Sequence, residues 1–177
     1  MFRKEESINA ILYIAQNVER KDIHKICKIL YFADREHLSK YGRSITGDVY
    51  IAMQFGPVPS NIEDIFKAVR GDSYFSDVAE EFKKFFTFQN KYILKPVAEA
   101  DMDYLSESEV ECLDNAISKC KDKSFDELTQ MSHDAAWSNT QRDRMMSFAD
   151  IVMEAGDTEE YANYICEKIR FANLCMR

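Results

Sequence analysis

The sequence predicts a mainly α-helical protein with a small antiparallel β-sheet of two or three short strands. This is an α+β fold in a single domain over residues 1–177. Three observations predict it. Apolar residues recur at helical spacing through most of the chain. Two short stretches, 48–55 and 91–97, shift towards a period of two with β-branched and aromatic residues. No internal repeat, low-complexity tract or Gly/Ser linker divides a chain long enough to bury most of its apolar surface in one core.

Ile8, Ile11, Leu12 and Ala15 fall at i, i+3, i+4 and i+7, which makes Ser7–Val18 an amphipathic helix. A second helix takes Asp22 as its N-cap and runs to a stop at Gly42. Its centre, Ile29–Ala33, is apolar nearly all round, so it is the expected heart of the core. Asp48–Phe55 reads as a strand ended by Pro57 and Pro59, because neither proline can donate to a ladder. Ser60 with Glu63 reads as a capping box opening a helix that stops at Gly71. Aromatic-rich Val78–Phe88 is a further helix, and 91–97 a second strand able to pair antiparallel with the first. Ser106 or Ser108 opens a helix to about Lys121, Ser124 with Glu127 forms a capping box, and Asp157 or Thr158 opens the last helix.

Charge and composition exclude several classes. A net charge of −8 disfavours nucleic-acid binding, which needs Lys and Arg to neutralise phosphates. Residues 19–43 carry seven Lys/Arg against four acids, which reads as a salt-bridged helix surface. Residues 99–114 carry seven acids and no base, a solvated face or a site for a basic partner. No apolar run reaches the roughly 18 residues of a membrane helix. The N-terminus lacks a signal-peptide h-region, and five widely spaced cysteines do not form a disulfide framework, so a reduced, cytoplasmic protein is expected. Homo-oligomerisation is left open.

Strong enzyme signatures are absent: no P-loop, GxGxxG, GxSxG, HExxH or paired CxxC. No catalytic residue, metal ligand or cofactor is assigned. The residual chemistry sits in two places. His24 and Cys27 share a helix face, as a ligand pair or a Cys/His dyad would, with Cys112, Cys120 or His133 to complete a metal site; core packing of Cys27 is the alternative. In MSHDAAW, residues 131–137, His133 is either a general base beside Asp134 or the hydrogen-bonded neighbour of a Trp137 anchor. A metal-dependent or Cys/His hydrolase is therefore the alternative function class. Met145, Met146 and Met153 with Phe148 form a soft apolar segment that reads as core filling.

Residues 28–69 carry a more specific pattern. It consists of Lys28, Leu30 and Tyr31 on a helix, the Tyr41-Gly42-Arg43 turn, Ile45-Thr46, and a strand closing in Phe55-Gly56-Pro57-Val58; later come His133 and Trp137. This pattern resembles the Panacea domain family, also called SocA-like or DUF4065, of phage-associated proteins and antitoxins. The resemblance implies an antitoxin that binds a toxin encoded beside it and, in one branch, delivers it to a AAA+ protease. It implies no catalytic residues. The chain leaves no room for the extra DNA-binding domain of some relatives, so autoregulation is not expected. FGPVP is rigid: two of the three prolines fix φ, and Gly56 permits a close approach. Tyr41, Gly42 and Arg43 with Gln54, Phe55, Gly56, Pro57, Val58 and Pro59 are the expected toxin-facing platform. The competing reading makes FGPVP a corner that serves the fold alone.

Overall fold

A computed structural model describes residues 1–72 and 76–175, with the side chains of 76–78 and 172–175 left out. The predicted α+β class holds, with helices dominating and two separate two-stranded antiparallel sheets. Helix α1, Lys4–Asn17, buries Ile8, Ile11, Leu12 and Ala15. It starts earlier than the apolar period suggests, because Glu5 and Glu6 suit the positive end of a helix. It ends where Val18 turns to extended backbone.

Helix α2, Ile23–Tyr41, is the spine of the molecule. Asp22 caps it by accepting from the Lys25 N–H at 3.0 Å. Gly42 ends it in the left-handed region at φ 72°, where a glycine carries no Cβ penalty. The helix packs against α1, the strand Gly56–Pro59 and the later helix α5, Glu107–Cys120.

Strands β1, Tyr50–Met53, and β2, Gly56–Pro59, form a hairpin that turns at Gln54-Phe55. The prolines therefore do not end the strand; they make its partner. The ladder tolerates them for a clear reason. Tyr50 and Ala52, which face Pro59 and Pro57, send their backbone groups the other way, to residues 143–146. No donor is needed at either proline, so no bond is lost.

Helix α3, Ser60–Arg70, follows directly, and its cap differs from the expected Ser60–Glu63 box. The buried Asp48 carboxylate accepts from the N–H groups of Asn61 and Ile62, both at 3.0 Å. Glu63 instead pairs with Arg70 at 3.2 Å. A cap from twelve residues upstream joins strand and helix into one unit.

Two more expectations change. The 78–88 stretch divides into α4, Ser76–Lys83, and strand β3, Phe86–Gln89. The 91–97 stretch contributes β4, Ile93–Pro96, which pairs with β3 rather than with the first strand. Nearest-neighbour pairing across a short loop wins, as loop-closure entropy favours. Tyr92 and Leu94 then bond the backbone of Ile23 and Lys21, which seats this second hairpin beside the start of α2.

The expected Ser124–Glu127 capping box opens α6, Phe125–Ser132, and of the two serines offered for α5 it is Ser106 that opens it, in a second box with Glu109. After α6 come a short helix α7, Ala135–Ser138, then α8, Phe148–Glu154, and α9, Glu159–Cys175.

Candidate functional site

Every third residue of α2 from Lys25 to His37 is a buried group with a polar end, and each holds a different segment. Lys25 Nζ donates to Lys121 O at 2.6 Å, and Lys28 Nζ to Pro57 O at 2.9 Å. Tyr31 Oη donates to Asp134 Oδ2 at 2.7 Å. Asp34 accepts from the Ile45 and Thr46 N–H groups, the Thr46 hydroxyl and the Tyr50 hydroxyl. His37 bonds Arg43 O and Ser108 Oγ. A step of three residues falls about 60° short of a full turn, so this series winds round the helix and reaches a new neighbour each time. Sequence reading missed it because a stretch with such a central apolar run reads as uniformly greasy.

The hairpin end of α2 forms the most developed surface feature. Phe55 and Met53 at the tip are 49% and 40% exposed, yet their carbonyls are held firmly. Trp137 Nε1 donates to Met53 O at 3.0 Å, and the Trp137 ring stacks on His133 at 3.6 Å. His24 Nε2 lies 3.2 Å from Phe55 O and 3.1 Å from Thr129 Oγ1. A carbonyl only accepts, so Nε2 carries the proton there. The His24 ring stacks on Phe125 at 3.9 Å, and Phe55 meets Phe125 edge-on at 5.3 Å. Beneath the tip, Gly56 adopts φ 95°, and a Cβ built on it would run into Ser132 Oγ and lie 2.9 Å from Lys28 Nζ. Beside the tip opens a cleft of ≈ 440 Å³ with Ile23, Phe55, Val58, Tyr92 and Phe125 among its walls and Lys28 lining it.

Electrostatics in this region are set by burial. The Lys28 ammonium, fully inaccessible, is lowered to about 8 by desolvation. His24 is lowered to about 4, by burial first and by the Lys28 charge second. His133 is lowered by the same two causes. The Cys27 thiol is pushed far up by burial, which keeps it from acting as a nucleophile. Among the described residues no three His, Cys, Asp or Glu side chains converge to hold a metal ion. The Asp134 carboxylate does not orient His133: it caps α7 and accepts from Tyr31 and Arg35.

The expected platform residues separate into two groups. Gln54 and Phe55 are exposed at the hairpin tip and Val58 is half-buried, while Gly56, Pro57 and Pro59 are buried beneath it. Tyr41, Gly42 and Arg43 lie at the other end of α2, about 20 Å of helix away from Lys28. There the Gly42 N–H bonds Leu38 O at 3.0 Å, and Arg43 pairs at 2.5 Å with the buried Glu109, which also binds Arg3 at 2.6 Å. Burial would raise Glu109, but the bonds from Arg43, Ser106 and Arg3 prevail and hold it down to about 2.

The family described as antitoxin SocA-like, Panacea domain, matches residues 26–138. The chain belongs to this family. No curated protein and no solved structure matches it. The Panacea match begins just before Lys28 and ends one residue after Trp137, so it holds the hairpin, the Trp137 clamp and four of the five α2 anchors, while His24 lies just ahead of it. The segments outside it, α1, α8 and α9, pack around this unit. No helix among the described residues is long and apolar enough to cross a membrane.

Proposed function

We propose that this Panacea-domain protein is a cytoplasmic antitoxin that neutralises a toxin encoded by an adjacent gene, by direct binding through the hairpin end of α2. One observation carries the choice of surface: the tip presents exposed Met53, Gln54 and Phe55 on a backbone clamped by Trp137 and His24. An apolar edge that is already rigid loses little conformational entropy on binding. On this reading Gln54, Phe55 and Val58 make contact, and Gly56, Pro57 and Pro59 set the shape. Tyr41, Gly42 and Arg43 serve the opposite end of the fold.

The test is co-expression of the neighbouring gene with and without this chain in a heterologous host. Growth arrest relieved by this chain, with a co-purifying complex that Phe55→Ala abolishes, supports the reading. Toxicity unrelieved by this chain, or a complex indifferent to Phe55→Ala, refutes it or its surface. Delivery of the bound toxin to a AAA+ protease extends the same reading, and it predicts a shorter toxin half-life when this chain is present.

A further inference from the structure

At the end of α2 opposite the hairpin tip, α9 lies against the Tyr41-Gly42-Arg43 turn. Tyr161 Oη donates to Ser39 O at 3.0 Å, and a Cβ built on Gly42 would sit 3.0 Å from Ile165 Cδ1. Beside this contact opens a second cleft, of ≈ 310 Å³, a volume that suits a small ligand. Tyr41, Phe148 and Ile169 give it apolar walls, and Arg3, Arg43 and Lys168 bring three cations to it. No acidic residue lines it, whereas the cleft at the hairpin tip sets Glu63 and Asp143 beside its cations.

The three cations are spent to different degrees. Arg3 gives one terminal nitrogen to Glu109 and Ile45 O and the other to Glu6. Arg43 gives Nη1 alone to Glu109, at 2.5 Å. Its Nε and Nη2 form the side-on pair that matches two oxygens of a carboxylate or phosphate, and they have no acceptor among the described residues. The Arg43 side chain is 45% exposed, so a group entering the cleft can reach it. Lys168 is also exposed; its ammonium lies 5.4 Å from the Tyr164 ring centre, with no carboxylate partner among the described residues. Glu6 and Glu109 offset two of the three positive charges and leave one.

We propose that this cleft binds a small organic oxyanion, a carboxylate or phosphate carried on a ring or a branched apolar body. The open edge of Arg43 takes two of its oxygens, Lys168 supplies the unmatched charge, and the body lies against Tyr41, Phe148 and Ile169. A bare inorganic ion would leave those apolar walls in water. A neutral apolar ligand would cover two cations without pairing them. Tyr41 and Arg43 fall within the Panacea match, whereas Arg3, Phe148, Lys168 and Ile169 come from outside it, so the flanking segments complete the site. The proposal does not depend on the antitoxin reading.

The probes are 3-phenylpropionate and phenyl phosphate, with neutral 3-phenylpropanamide as the control. Each is titrated near neutral pH while NMR follows the amide signals of Gly42 and Gly47, both lining residues. For at least one anion a Kd of about 1 mM or tighter is expected, within reach of a ligand of about a dozen heavy atoms. The tighter of the two identifies the head group. The amide is expected to bind about tenfold more weakly, because it forgoes a hydrogen-bonded charge. Arg43→Lys keeps a charge for Glu109 but loses the planar fork, and is expected to weaken the anion about tenfold. Should Arg43→Lys fail to fold, Lys168→Met decides, with a loss of about fivefold expected from an exposed charge. No saturable shift with either anion up to about 10 mM overturns the proposal. Equal affinity for acid and amide overturns it too, as does binding that neither variant weakens.

Discussion

The two ends of α2 carry motifs of similar appearance, each an aromatic followed by glycine, yet they work differently. At the Tyr41-Gly42-Arg43 end, the glycine closes the helix, and the arginine neutralises a carboxylate sealed inside the fold. At the Gln54-Phe55-Gly56 end, the glycine lets Lys28 and Ser132 approach, while the residues before it stand out in solvent. One end spends its side chains on the interior, and the other uses the interior to hold side chains outward. A family pattern read along the sequence does not separate these two uses, because both demand the same residues in the same order.

The contrast has measurable edges. Gly56→Ala is expected to cause the greatest damage, about 3 kcal/mol or more, since its Cβ meets Ser132 at a φ that L-residues avoid. Chemical denaturation checks this, and a value under about 1 kcal/mol would show that the tip is not packed as described. Next comes Glu109→Gln, expected to cost about 2 kcal/mol at neutral pH, allowing for half-exposed guanidinium partners. The native pKa of about 2 lies below the ordinary 4.5, so the stabilisation is present above pH 4.5 and lost as pH falls through 2. Melting curves of the two proteins should therefore converge towards pH 2, and toxin binding at pH 7 should be unchanged.

Phe55→Ala inverts that outcome, with less than about 1 kcal/mol of stability lost from a half-exposed ring and at least a tenfold loss of affinity for the partner. If the protein unfolds instead, the tip belongs to the fold and the contrast collapses. Tyr41→Ala is the smallest change. Its hydroxyl reaches Glu111 at only 3.5 Å, so stability within about 0.5 kcal/mol and unaltered binding are expected.

Local signals were the legible part of this fold. The caps at Asp22, Ser106 and Ser124, the Gly42 stop and the hydrophobic stripe of α1 all depend on residues within four positions of each other. What escaped was non-local. The well-spelled Ser60–Glu63 box does not form because the Ser60 N–H goes to Val49 O and the interior Asp48 carboxylate takes the next two N–H groups, of Asn61 and Ile62. The proline strand was illegible because its tolerance depends on residues 143–146 taking the other edge of β1. At the site, Phe55 and Gln54 were legible as a rigid presented loop. Lys28 and the Trp137 clamp were not, since nothing in their sequence neighbourhood states that they meet residues 57 and 53.

The winding series on α2 also bears on how the chain is made. Lys25, Lys28, Tyr31, Asp34 and His37 leave the ribosome early, but their partners emerge in sequence at 45, 57, 108, 121 and finally 134. Until Asp134 is synthesised, the spine holds polar ends that have no lasting home. A chain released before that point is incomplete at its centre rather than at its edge.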